Sequence, residues 1–87
     1  MKATPKILDH NVAFGCVLAD LRKGLGLSQE KLGFEAKMDR SFLSLLERGK
    51  RSPTLDTLMR LCQVMKISLT QLSVLIEAEL ARKNESR

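Results

Sequence analysis

The residues best equipped for chemistry are cations and hydroxyls gathered in one short stretch: Arg40, Ser41, Ser44, Arg48, Lys50 and Arg51. Such donors suit phosphate oxygens and the acceptor-rich edges of bases. Nothing beside them would make or break a covalent bond. Glu47 has no second acid, nucleophile or metal ligand for company. His10 is the sole histidine, with no partners for a triad. Cys16 and Cys62 lack paired-ligand spacing, so two free thiols are expected and no zinc site. The sequence therefore points away from an enzyme, with no cofactor and no metal, and towards binding.

Composition agrees. The chain has 87 residues, fifteen Lys and Arg against ten acidic residues, and formal net charge +5, a balance that suits a polyanionic partner. Its length allows one domain with one modest core. Leucines recur at helical spacing, few stretches alternate as strands do, and there is no Trp or Tyr, which favours an all-α class. No apolar run is long enough for a bilayer, and the start, MKATPKILDHN, lacks the apolar centre of a signal peptide. No membrane partner is expected, and the expected compartment is a cytosol.

The stretch from Leu27 to Gly49 positions the cations. Ser28 is a good N-cap, and Leu32 and Ala36 share a face of the helix it opens, about 28–36. Asp39 is expected to cap a second short helix, about 39–48, with Leu43 and Leu46 inward and Ser41, Ser44, Leu45 and Arg48 on the opposite half. Lys37-Met38 leaves room only for a sharp turn. Helix, tight turn and helix is the arrangement whose second helix enters the DNA major groove. Gly33 is expected to allow close approach of another helix, and Phe34 points away from the Leu32 face.

The remaining elements support this pair. Residues 1–10 read as a flexible arm in which Thr4-Pro5 disfavours helix. Asn11 or Asp9 caps a helix of about 12–24, with Phe14, Val17, Leu18 and Leu21 as its buried stripe and Gly24 and Gly26 as its stop. Cys16 falls opposite that stripe. After the basic loop 49–53, Thr54 caps a helix to about Met65 whose inner face is Leu55, Leu58, Leu61, Cys62 and Met65. Ser68 and Gln71 form a capping box opening a fifth helix to about Arg82. Residues 11–82 are thus the domain, and 83–87 a disordered tail.

With these pieces in order, the chain resembles the Xre/Cro-like, phage-repressor type of helix-turn-helix domain over about Phe14 to Leu72. FGCVLADLRKGLGLSQEKL, MDRSFLSLLERGKRSPTLDTLMRL and ISLTQL carry the resemblance. The segment MDRSFLSLLERGKRSP is also similar to small restriction–modification controller proteins. The resemblance implies a compact five-helix bundle, dimeric on DNA. It implies that Gln29 bonds a phosphate and braces the recognition helix, that Arg40, Ser41, Ser44 and Leu45 face the groove, and that the loop of Gly49, Lys50 and Arg51 lies on the DNA backbone. Arg22 and Glu47 match a buried salt bridge joining the first and third helices. Three residues depart from the pattern. Lys37 replaces the turn glycine and is strained if its φ is positive. Gly33 replaces an alanine, and Lys31 an acidic residue.

Within that frame Arg40 sits in the first turn, where an arginine can bond guanine O6 and N7 together. Leu45 can pack on a thymine methyl. The alternatives are phosphate contact alone for Arg40 and an incidental leucine. Arg48 joins Gln29, Gly49, Lys50 and Arg51 as a backbone contact, fixing register without carrying a sequence code. Phe42, on the flank, suits packing or a sugar contact. Leu69, Leu72, Ile76 and Leu80 line one stripe of the fifth helix, widened by Leu75. A twofold homodimer built on residues 68–82 is expected, with Val64, Leu72, Leu75, Ile76, Glu79 and Leu80 at the interface. Its recognition helices would lie ~34 Å apart on a palindromic double-stranded operator.

The expected function is a transcriptional regulator, a repressor or autoregulator with no small-molecule effector domain. The alternative is a protein-interaction module or antitoxin-like subunit whose fifth helix binds another protein.

Overall fold

The computed structural model describes residues 9–85. Five helices follow in order: α1 (Asp9–Gly24), α2 (Gln29–Ala36), α3 (Arg40–Glu47), α4 (Leu55–Met65) and α5 (Leu69–Glu85). There is no strand among the described residues. The fold is the all-α bundle that the leucine spacing predicts.

Its helix boundaries follow from local chemistry. Ser28 accepts the Lys31 N–H at 3.0 Å and Thr54 the Thr57 N–H at 3.1 Å. Ser68 and Gln71 bond reciprocally, each backbone N–H to the other's side-chain oxygen at 3.0 Å. Each cap satisfies a donor that the first helical turn leaves unpaired. α1, α2 and α3 end in paired bonds across a left-handed residue, Gly26, Lys37 and Gly49. Lys66 takes the same conformation after α4.

The core lies between the helices. Phe14, Val17 and Leu18 from α1 meet Leu32 and Ala36 from α2, Leu43 and Leu46 from α3, Leu61, Cys62 and Met65 from α4, and Leu72 from α5. α1 packs on both α3 and α5, while α2 packs on α3 and α4. The six leucines of this set are fully buried, and each contributes roughly 1.5–3 kcal/mol relative to exposure. Removing any of them would leave a cavity in this shared core.

Several expectations change. α1 is already helical at Asp9, so Asn11 lies inside it, buried, and caps nothing. Asp9 and His10 therefore belong to the helix, while residues 1–8 of the expected arm lie outside the described residues. α5 continues through Glu85, so 83–85 are helix rather than tail, and 86–87 lie outside the described residues. Leu55 is 65% exposed because it opens α4 beyond the edge of the core. Leu72 is fully buried in the chain's own core, which leaves it no surface for a dimer contact. Phe34, by contrast, keeps to the outer face of α2 as expected and is 80% exposed.

Among the described residues no single helix is long and apolar enough to cross a membrane. No group of three or more His, Cys, Asp or Glu among them could hold a metal ion.

Candidate nucleic-acid interface

α3 is short and strongly two-faced. Leu43 and Leu46 are buried, Phe42 packs against the core from the flank, and Arg40 and Ser41 stand exposed in the first turn. Ser44 and Leu45 are half-buried one turn further on. Arg48, Lys50 and Arg51 are exposed just past the helix end. Arg40, Ser41, Ser44, Leu45, Arg48, Lys50 and Arg51 thus come from one helix and its following loop, while Gln29 sits at the start of α2.

Gly49 is a correction. It is buried, with φ of 72°, and its N–H is bonded to the Leu46 carbonyl at 3.1 Å. The Lys50 N–H is bonded to the Leu45 carbonyl at 2.9 Å. Gly49 therefore shapes the loop and has no free donor for a phosphate. A Cβ there would lie 2.9 Å from the Val12 Cα, so glycine also admits the start of α1.

Asp39 is a second correction. It occupies the N-cap position of α3 with extended backbone, but its side chain makes no cap hydrogen bond.

The turn before α3 is built by three residues. Lys37 adopts φ 58° and ψ 51°, left-handed backbone that disfavours a residue with a Cβ. The Met38 N–H reaches back to the Gly33 carbonyl at 2.9 Å. A Cβ on Gly33 would lie 2.8 Å from the Met38 carbonyl oxygen and 3.6 Å from the Arg40 nitrogen, so this glycine makes room for the turn as well as for the start of α3. Arg60 of α4 ties the turn down, donating from Nη1 to the carbonyls of Ala36 and Lys37 at 3.0 and 2.8 Å. It also pairs with Asp56 at 3.1 Å. The sequence reading missed Arg60, whose only local signal is Asp56 four positions earlier.

The far end of α3 is clamped by polar groups. Arg22 Nε donates to Glu47 Oε2 at 2.6 Å and Nη2 to Oε1 at 3.0 Å. Arg22 Nη1 donates to the Leu27 carbonyl at 2.8 Å, and Gln29 Nε2 donates to Glu47 Oε1 at 2.9 Å. The side chains of Arg22 and Glu47 are only 12% and 7% exposed. Hydrogen bonding to Glu47 raises the Arg22 pKa above its ordinary value, so the guanidinium stays charged. Two parallel bonds of this kind add geometric specificity as well as energy.

Gly15 completes the clamp. A Cβ on it would lie 2.5 Å from the Glu47 carbonyl oxygen and 2.6 Å from that of Leu46. α1 therefore crosses the end of α3 at backbone contact. The signal was a glycine inside a helix, where it costs about 1 kcal/mol relative to alanine and so implies a compensating close approach.

The residues expected at a dimer interface are not gathered on one surface. Leu72 is core, as above. Leu75 and Glu79 border a shallow groove between α5 and α1 with Val17 and Leu21. Val64 borders a different depression with Ala36, Lys37 and Arg60. Ile76 is partly buried against the core, and Leu80 is half-buried. Glu79 is held by Arg82 at 2.6 Å and Lys83 at 3.8 Å, and the Arg82 bond lowers its pKa below the ordinary carboxylate value. Among the described residues, the exposed large apolar residues of α5 are Val74 at 59% and Leu75 at 39%.

Comparison with known proteins agrees with this geometry. A family model described as helix-turn-helix matches residues 18–72. The chain is 37% identical over 65 residues to an uncharacterized HTH-type transcriptional regulator, y4dJ, of Sinorhizobium fredii, covering 75% of this chain and 84% of the relative. It is 36% identical over 72 residues to the control protein C.MunI of a Mycoplasma species, covering 82% and 97%.

Among solved structures, the restriction-modification controller protein C.AhdI from Aeromonas hydrophila is similar at 39% identity and TM-score 0.69, over 71% of this chain and 94% of that one. The controller protein C.Esp1396I, solved as a tetramer with its natural 35 base-pair operator, is similar at 25% identity and TM-score 0.72, over 87% and 97%. A clamped short helix with an exposed cationic first turn, and a family match over most of the chain, lead to one conclusion: this chain belongs to the helix-turn-helix family of DNA-binding transcriptional regulators.

Proposed function

We propose that the chain is a sequence-specific regulator of the controller type that binds a palindromic operator as a twofold homodimer and represses or tunes its own promoter. The observation that carries the reading is the first turn of α3. Arg40 and Ser41 are exposed there, on a helix whose other end is fixed by Arg22, Gln29 and Gly15. In this docking mode the N-terminal residues of the second helix meet base edges. Arg40, Ser41, Ser44 and Leu45 are the base-facing set, and Gln29, Arg48, Lys50 and Arg51 hold the phosphates. Gln29 suits both its tasks: one N–H steadies Glu47, and its amide keeps further hydrogen-bonding capacity for a phosphate.

Val74 and Leu75 support association through the outer face of α5, with Leu75 continuous with the groove against α1. The relative C.Esp1396I, a tetramer on its operator, is consistent with an oligomer on DNA. Dimerisation makes operator occupancy respond steeply to protein concentration. The compartment that fits a DNA-bound regulator is the cytosol.

The test is selection of bound duplexes from a randomised pool at near-physiological salt, with sedimentation of the free protein. The expected results are a palindrome with half-sites about one helical turn apart and a sedimentation mass of two chains. An unpatterned pool whose binding vanishes as salt rises would mean phosphate attraction alone. A single-chain mass at micromolar concentration would remove the preformed dimer.

A further inference from the structure

Ser28, Thr54 and Ser68 each accept a backbone N–H of their own helix at 3.0, 3.1 and 3.0 Å. The residue in the same place on α3, Asp39, has suitable backbone, φ −64° and ψ 141°, and a side chain of the preferred type, yet makes no such bond. It is exposed, and no ion pair among the described residues includes it. Its neighbour Arg40 is exposed and likewise absent from those pairs. Two opposite charges thus stand side by side at the tip of the reading helix, each left for an external group.

A carboxylate only accepts hydrogen bonds. Facing DNA it meets phosphate oxygens, which repel it, and exocyclic amino groups in the major groove, which do not. Acidic side chains are suited to the cytosine N4 amino group, as arginine is to guanine O6 and N7. We propose that Asp39 is a specificity-determining residue that accepts a hydrogen bond from a cytosine amino group beside the guanine bound by Arg40. The assignment rests on the reading of α3 as the groove helix. Asp39 would also lower affinity for every duplex lacking a donor at that place, sharpening discrimination by repulsion as well as attraction.

The experiment compares the full chain with Asp39→Ser by selection from a randomised duplex pool at one fixed salt concentration, alongside thermal melting of both proteins. Serine keeps a good N-cap, as at Ser28 and Ser68, and removes only the carboxylate. The expected result is a cytosine preference at one position of each half-site, weakened about tenfold in Asp39→Ser. Other positions should be unchanged and melting no lower. A patterned wild-type pool whose every preference survives in Asp39→Ser overturns the assignment alone. So does a uniform gain of affinity with no positional change, since that is phosphate repulsion. A wild-type pool with no pattern overturns the groove reading and this assignment with it.

Discussion

At its C-terminal end α3 is gripped at three points by two helices: α1 holds it at backbone contact through Gly15 and by the bidentate ion pair of Arg22, and α2 holds it through the Gln29 amide. At its N-terminal end Asp39, Arg40 and Ser41 are exposed, and even the cap bond is missing. Eight residues separate a fully satisfied end from an unsatisfied one. The difference teaches how a small domain divides its labour. The groups that orient the helix are ones that no ligand has to touch, and the groups left for a ligand carry little of the fold. Stability and recognition should therefore separate under mutation.

The hardest way to break the comparison is at the clamp. Glu47→Ala strands a buried guanidinium, and loss of about 3–5 kcal/mol is expected in urea denaturation, enough to unfold much of a domain this small. Gly15→Ala should follow at about 1–3 kcal/mol, because its methyl meets backbone carbonyls that cannot move aside without shifting α3. Unchanged midpoints for both variants would show that the C-terminal end is not held as described.

Arg40→Ala should behave in the opposite way. Its melting should stay within about 0.5 kcal/mol of wild type, while discrimination at one base position falls by about 1–3 kcal/mol in competition binding. Equal weakening on all sequences would make Arg40 a phosphate contact instead.

The smallest effect sharpens the turn that joins the two roles. Lys37→Gly relieves left-handed backbone, and a gain of about 1 kcal/mol in thermal or chemical melting is expected with operator preference unchanged. A loss of stability would mean that the lysine side chain supports the turn.

Reading the sequence alone located what neighbours along the chain decide. Leucine spacing marked five helices. Ser28, Thr54 and the Ser68–Gln71 box marked three starts, and Gly26 and Gly49 two stops. These are contacts within a few residues, so the chain needs no partner to specify them. The condition set on Lys37, strain if φ is positive, was also local, and φ is 58° there. The Arg22–Glu47 bond is different. It joins positions 25 apart, and only resemblance to a family suggested it.

Tertiary structure alone decided the rest. Leu55 and Leu72 both fit an inward stripe by spacing, yet one is exposed and the other fully buried. Helical period gives a direction around each helix but not where a neighbouring helix stops. Gly15, Arg60 and the uncommitted carboxylate of Asp39 became meaningful only when α1, α4 and α3 were set against one another. Crossing points and long-range partners depend on the packing of whole helices, which no stretch of sequence states by itself. The chain's own letters determined an all-α bundle with a short helix near its middle that is followed by a basic loop. The packed structure decided which end of that helix is anchored and which is left exposed.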